Sequence, residues 1–64
     1  MDSRVTEWIA INELGYTYGL ASSSKPQQER KATLLNRRVA EGHPYFTGPN
    51  AIYPGERWTV AIVG

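Results

Sequence analysis

The chain has 64 residues, a formal net charge of +1 and no cysteine. This length allows a single domain, residues 1–64, with a small core, and the lack of cysteine excludes disulfide bridges and thiolate metal sites. A net charge so close to zero argues against a protein-wide field that would bind nucleic acid or anionic lipid.

The first predicted element is a β-strand over Val5 to Ile11, where β-branched and aromatic residues are concentrated. Asn12 to Gly15 predicts a turn after it. The next segment, Tyr16 to Ala21, is short and aromatic, and it is compatible with either one helical turn or an extended chain.

A helix is predicted from Pro26 to Glu41. Ser24 supplies the cap, Pro26 lies in the first turn, and Gln27 is placed to close a capping box with Ser24. Gly42 predicts the end of the helix, because glycine accepts the left-handed conformation that often follows a last turn. The predicted apolar stripe consists of Ala32, Leu34, Leu35 and Val39.

The carboxy-terminal part predicts a loop, a turn and a closing strand. Pro44 to Asn50 is an irregular loop that carries two aromatic rings, Tyr45 and Phe46. Pro54 and Gly55 predict a type II turn over residues 53–56. The residues Trp58, Val60 and Ile62 then alternate with polar or small ones, which predicts a strand with one face in the core.

Nothing in the sequence indicates catalysis, a metal site or a cofactor. His43 is the only histidine, the five glutamates are dispersed, and the serines at 22–24 suit a loop and a helix cap better than a nucleophile. The glycines do not form a phosphate-binding loop. We also expect no transmembrane segment and no signal peptide, so the cellular location stays open.

The order of these elements and two short motifs resemble the LysM domain family. The motifs are Gly15-Tyr16-Thr17-Tyr18-Gly19-Leu20-Ala21 and Ile52-Tyr53-Pro54-Gly55-Glu56-Arg57-Trp58-Thr59-Val60. The second matches the closing turn and strand of the family well, whereas Tyr16 replaces the aspartate typical of the first. The resemblance implies an α+β fold of βααβ type, in which two terminal antiparallel strands carry two helices on one side.

The same resemblance implies a function and a site. LysM domains bind glycans that contain N-acetylglucosamine, such as peptidoglycan or chitin, without catalysis and without a cofactor. The family's shallow groove, between the loop after the first strand and the loop before the last, maps onto Gly15, Tyr16, Thr17, Tyr18, Asn50, Ala51, Ile52 and Tyr53. A cell-wall or virion location would follow.

Two other functions stay open at this stage. LysM-like modules also occur in phage tails and baseplates, where neighbouring subunits would be the partners and exposed Tyr45, Phe46 or Trp8 would form the contact. The second is a small DNA-binding domain that uses the basic residues of the helix, Arg30, Lys31, Arg37 and Arg38. The near-zero net charge makes nucleic acid the less favoured partner.

Overall fold

The computed structural model describes residues 5–63, and within them it contains three β-strands and one α-helix. The elements in chain order are β1 Glu7–Asn12, β2 Thr17–Ser22, α1 Lys25–Ala40 and β3 Trp58–Val63. The expected small α+β class is therefore confirmed. The helix lies against one face of the sheet, and the other face is left uncovered by any described element.

The sheet has the strand order β2-β1-β3, and both pairs are antiparallel. The first and last predicted strands are thus direct neighbours, as the sequence led us to expect. Their register runs without interruption from Glu7 opposite Val63 to Asn12 opposite Trp58. β1 starts two residues later than predicted. It extends one residue further than predicted, to Asn12, whose side chain accepts hydrogen bonds from the amides of the following turn.

The βααβ arrangement with a two-stranded sheet is not what residues 5–63 form. Where the family places its first helix, Thr17 to Ser22 forms β2 and pairs with β1. The physical reason is the hairpin, since a short glycine-containing turn brings two segments of high strand propensity side by side. The segment 16–21, which the sequence left undecided, is therefore extended from Thr17 onward.

β2 is an irregular edge strand. Its pairing with β1 shifts between Trp8 and Ala10, so that three residues of β2 lie opposite Ile9 alone. Gly19 lies in this bulge with φ +73°, a backbone conformation that costs glycine little. The side chain of Leu20 consequently projects into solvent and is 85% exposed.

The helix begins and ends one residue before the predicted Pro26 and Glu41, and its cap residues are Ser24 and Glu41. Ser24 accepts a hydrogen bond from the Gln27 amide at 3.3 Å, but Gln27 does not complete a capping box, because the Ser24 amide is directed to the Ser22 hydroxyl instead. At the other end the amides of Gly42 and His43 donate to the carbonyls of Val39 and Arg38. This pair of bonds is a Schellman motif and explains why the helix stops there.

The core lies between the inner face of the sheet, the helix and the loop that precedes β3. Its buried members are Ala10, Ala32, Leu35, Phe46 and Trp58, and Tyr18, Val39, Tyr53 and Val60 pack against them. Trp58 is 2% exposed, so its predicted core position is confirmed. Leu34 does not widen the apolar stripe as predicted, because it is 45% exposed and Gln28 is buried instead, linked to Ser22 at 3.1 Å.

Candidate functional site

Asn12 connects the β1–β2 turn to the segment before β3. Its side-chain oxygen accepts hydrogen bonds from the amides of Leu14 at 2.9 Å and Tyr16 at 3.0 Å, while its nitrogen donates to the carbonyl of Pro54 at 2.8 Å. The residue is only 5% exposed. Because Gly55 packs directly on the Asn12 amide group, there is no room for a side chain at position 55.

Glu13 makes a second connection between the same two segments. Its carboxylate accepts hydrogen bonds from the amides of Glu56 at 2.7 Å and Arg57 at 2.9 Å. The bond from Arg57, together with those from the Glu13 and Glu56 amides, lowers the pKa of the Glu13 carboxyl, and the charge of Arg57 adds to this. The carboxylate is therefore ionised and held in place at neutral pH.

The type II turn predicted over residues 53–56 is not formed. Gly55 has φ +148°, whereas the third position of a type II turn needs about +80°. The Glu56 amide, which would close such a turn, donates to Glu13 instead. The segment through Pro54 and Gly55 is therefore held by hydrogen bonds to Asn12 and Glu13 and not by a turn bond of its own.

These connections leave an open groove of about 480 Å³ between the β1–β2 turn and the loop before β3, which we call the tip groove. The apolar side chains in it are Leu14, Val39, Phe46, Ala51 and Pro54. Glu13, Thr47 and Glu56 supply polar groups, and Gly48 and Gly55 complete the lining. A groove of this kind can receive a small amphipathic group, with apolar contact at its floor and hydrogen bonds at its rim.

The eight residues implied by the LysM resemblance lie at different places around the hairpin turn, β2 and the loop before β3. Ala51 alone lines the tip groove. Gly15 and Tyr16 lie in the hairpin turn, and Thr17 is exposed and paired with Ile11 on the uncovered face of the sheet. Asn50 and Ile52 are exposed in the loop before β3.

Tyr18 and Tyr53 come from the two predicted loops and do meet. Their ring centroids are 5.2 Å apart in an edge-to-face arrangement, and both rings also contact Phe46 and Trp58. Both tyrosines are half-buried. Their contacts are those of an aromatic core cluster that ties β2 to the loop.

Both segments that border the groove were named from the sequence, but of the eight residues chosen there only Ala51 lines it. Most of the lining was missed, namely Glu13, Leu14, Val39, Phe46, Thr47, Gly48, Pro54, Gly55 and Glu56. Leu14 could have been singled out from the sequence. A large apolar residue inside a predicted polar turn is hard to bury, so it stays available for contact with a ligand. No local sequence pattern predicts that Glu13 lines the groove, because its hydrogen-bond partners are 43 and 44 residues away in the chain.

The remaining candidate groups are the cations of the helix and the aromatic residues of the assembly hypothesis. Of the helix cations, Arg30 and Arg37 are exposed, and Arg38 forms an ion pair with Glu41 at 3.3 Å. Of the three aromatic residues that the assembly hypothesis named, Tyr45 is 57% exposed, whereas Phe46 is 5% exposed and offers little surface to a neighbouring subunit. Among residues 5–63 there is no group of three or more His, Cys, Asp or Glu side chains placed to hold a metal ion.

Comparison with protein-family models, curated proteins and solved structures gave no match for this chain. The LysM assignment therefore stays a prediction from two short motifs. In the part of the chain that is described, no helix is long and apolar enough to cross a bilayer.

Proposed function

We propose that this domain is a non-catalytic binding module that holds a glycan containing N-acetylglucosamine in the tip groove. The observation that carries the proposal is the position and lining of that groove. It lies between the turn after β1 and the loop before β3, the two loops that the LysM resemblance singled out, and it is the larger of the two described grooves.

The lining suits the two kinds of surface on such a sugar. Phe46, Val39 and Leu14 offer apolar contact to an acetamido methyl group or to the C–H face of a pyranose ring. Glu13 offers a fixed carboxylate whose oxygens keep lone pairs beyond the two amide bonds, and these accept hydrogen bonds from sugar hydroxyls. Because Glu13 is already held, binding does not have to order it.

The size and openness of the groove suit a weakly bound chain rather than an enclosed small molecule. Its volume of about 480 Å³ lies in the lower part of the range for ligand sites, about 300–1,000 Å³. It is open at the surface, so neighbouring sugar units of a polymer can continue past it. The proposal rests on the groove and on the two loops that the LysM resemblance singled out, and it does not need the βααβ fold.

The test is a titration of the labelled domain with tri-N-acetylchitotriose, followed by amide NMR shifts. Cellotriose, which has the same linkage without acetamido groups, is the ligand control. We expect saturable shifts for groove residues such as Leu14, Thr47 and Ala51 with the first sugar only. Unchanged spectra at millimolar chitotriose would overturn the proposal.

A matched pair of variants assigns the binding to the groove. Leu14→Ala removes an exposed leucine that lines it, and Leu20→Ala removes an exposed leucine on β2 outside it. We expect the first to weaken binding about fivefold, from the loss of about 1 kcal/mol of apolar contact. The second should bind like the unmodified domain, and equal losses in both variants would place the sugar elsewhere.

A further inference from the structure

We propose that β3 is the docking edge for a second copy of this chain, and that two copies pair antiparallel through β3 into a continuous six-stranded sheet. The proposal starts from the strand order, in which β1 is central and β2 and β3 are the edges. An unguarded edge strand offers rows of backbone donors and acceptors to another strand. The two edges of this sheet differ sharply in that respect.

The β2 edge is closed to such pairing. Its bulge at Gly19 breaks the regular spacing of donors and acceptors. The amino group of Lys31 also reaches this position, 2.8 Å from where a Cβ of residue 19 would lie. Bulges and lysines are two devices by which natural edge strands avoid adding a partner.

β3 itself has no bulge and no lysine, and the charged side chains near it, Lys25 and Glu29, belong to α1. Trp58 to Val63 contains no charged residue and no proline, and its register with β1 is regular. A groove of about 380 Å³ runs beside Trp58, Thr59 and Val60, lined on the other side by the flank of α1. An incoming strand would therefore enter this groove beside Val60, with the α1 side chains on its other side.

Hydrogen bonds at Trp58 show which backbone groups of β3 face outward. The Trp58 amide donates to the Asn36 side chain at 2.7 Å, and the Trp58 carbonyl accepts from it at 2.9 Å. Both groups therefore point away from β1. Because donors and acceptors alternate along an antiparallel strand, the amides and carbonyls of Val60 and Ile62 point the same way.

Asn36 occupies the outward groups at Trp58, which leaves those of Val60 and Ile62 for a partner. This pattern is self-complementary. With a two-fold axis at Ala61, Val60 of one copy lies opposite Ile62 of the other, and each such pair exchanges both N–H···O=C bonds.

The side chains fit the same register. Val60 and Ile62 lie on the face of the sheet that carries the core, yet Ile62 is 67% exposed. In the paired sheet each Ile62 would pack on Val60 of the other copy, a cross-strand apolar pair. Edge pairing covers less area than the standard interface of about 1,600 Å², so we expect a weak, concentration-dependent dimer.

Sedimentation equilibrium of the whole chain from about 10 µM to about 1 mM measures the association. We expect a monomer–dimer equilibrium within that range. Ile62→Lys, which adds a charge at the proposed interface, should weaken it at least about tenfold, since an edge lysine opposes strand addition. Leu20→Lys adds the same charge on β2 and should leave it unchanged. A monomer at every concentration, or equal effects of the two lysines, would overturn the proposal.

Amide hydrogen exchange tests the register in the same samples. In the monomer the Thr59 and Ala61 amides face β1 and are protected, whereas those of Val60 and Ile62 are open to water. Dimerisation should protect Val60 and Ile62 as concentration rises, without a change at Thr59 and Ala61. A dimer in which Val60 and Ile62 exchange as fast as in the monomer would show that another surface associates.

Discussion

Asn12→Ala should destabilise the domain more than any other single polar substitution at the tip groove. The change removes three hydrogen bonds at 2.8 to 3.0 Å that join the hairpin turn to Pro54. Each contributes about 0.5–1.5 kcal/mol net, so the loss amounts to about 1.5–4.5 kcal/mol. A domain of this length is stable by about 3–10 kcal/mol in total, which makes the effect a large fraction of the whole.

The assay is thermal and urea unfolding followed by tryptophan fluorescence and circular dichroism. A loss of at least 1.5 kcal/mol corresponds to a fall in Tm of at least about 6 °C for a domain of this size. Asn50→Ala is the matched control, since Asn50 is exposed and its side chain has no hydrogen bond among the described contacts. If the Asn12 and Asn50 variants have the same Tm, the three bonds do not hold the two segments together.

Asn12→Asp separates the two halves of the connection. Aspartate keeps an oxygen acceptor for the amides of Leu14 and Tyr16, but it replaces the donor to Pro54 with a second oxygen facing a carbonyl. We therefore expect faster hydrogen exchange in the segment after Pro54, with the Leu14 and Tyr16 amides still protected. Loss of protection at the turn instead would mean that the turn depends on Pro54 and not on Asn12.

Three further predictions test the packing of the core, the pH dependence of stability and the close contact between Gly55 and Asn12. Trp58→Ala should lower the free energy of unfolding by about 3–5 kcal/mol, so that thermal melts show little folded protein already at 25 °C, whereas Trp58→Phe should remain folded. Because the pKa of Glu13 is lowered in the folded state, the stability it contributes is present above its unfolded value of about 4.5 and is lost as pH falls through the folded pKa. Urea melts between pH 7 and 3 should show the unmodified domain losing its advantage over Glu13→Gln in that acid window. Gly55→Ala should destabilise more than Gly48→Ala in the same melts, because a Cβ at 55 meets Asn12 whereas one at 48 meets nothing within 4 Å, although both glycines have positive φ.

Local signals were sufficient for the elements whose determinants lie close together in sequence. Ser24, Pro26 and Gly42 define the ends of α1 within one turn of each end, and the structure uses all three. The alternation from Trp58 to Ile62 likewise predicted which face of β3 is inward. In both cases the local sequence favours the same backbone conformation that the folded domain requires.

β2 was left undecided because its sequence pattern is irregular. Tyr18 and Leu20 would share a face in a regular strand, yet Tyr18 packs in the core and Leu20 is in solvent. The bulge at Gly19 accounts for the difference, and a bulge is set by pairing with β1 rather than by local propensity. The glycine-containing turn at 12–15 between two apolar segments was the available signal for a hairpin.

The tip groove could not be predicted from the sequence, because it depends on contacts between residues that are far apart in the chain. Its shape depends on hydrogen bonds from Asn12 and Glu13 to residues more than 40 positions away, and on the backbone conformation at Gly55. The Pro54-Gly55 dipeptide predicted a reversal that closes on itself, which is the commonest use of that pair. Here the tertiary contact takes the Glu56 amide and overrides the local preference.

The floor of the groove connects ligand binding to the stability of the whole domain. Phe46 is at once a groove residue, a member of the core and a ring in contact with Tyr18, Tyr53 and Trp58. A change at Phe46 would therefore alter folding and binding together, and its effect on binding alone could not be isolated. Leu14 lines the same groove but is 60% exposed and lies outside the core cluster. A change at Leu14 thus perturbs the ligand contact with little loss of packing, whereas a change at Asn12 removes the bonds that hold the two segments together.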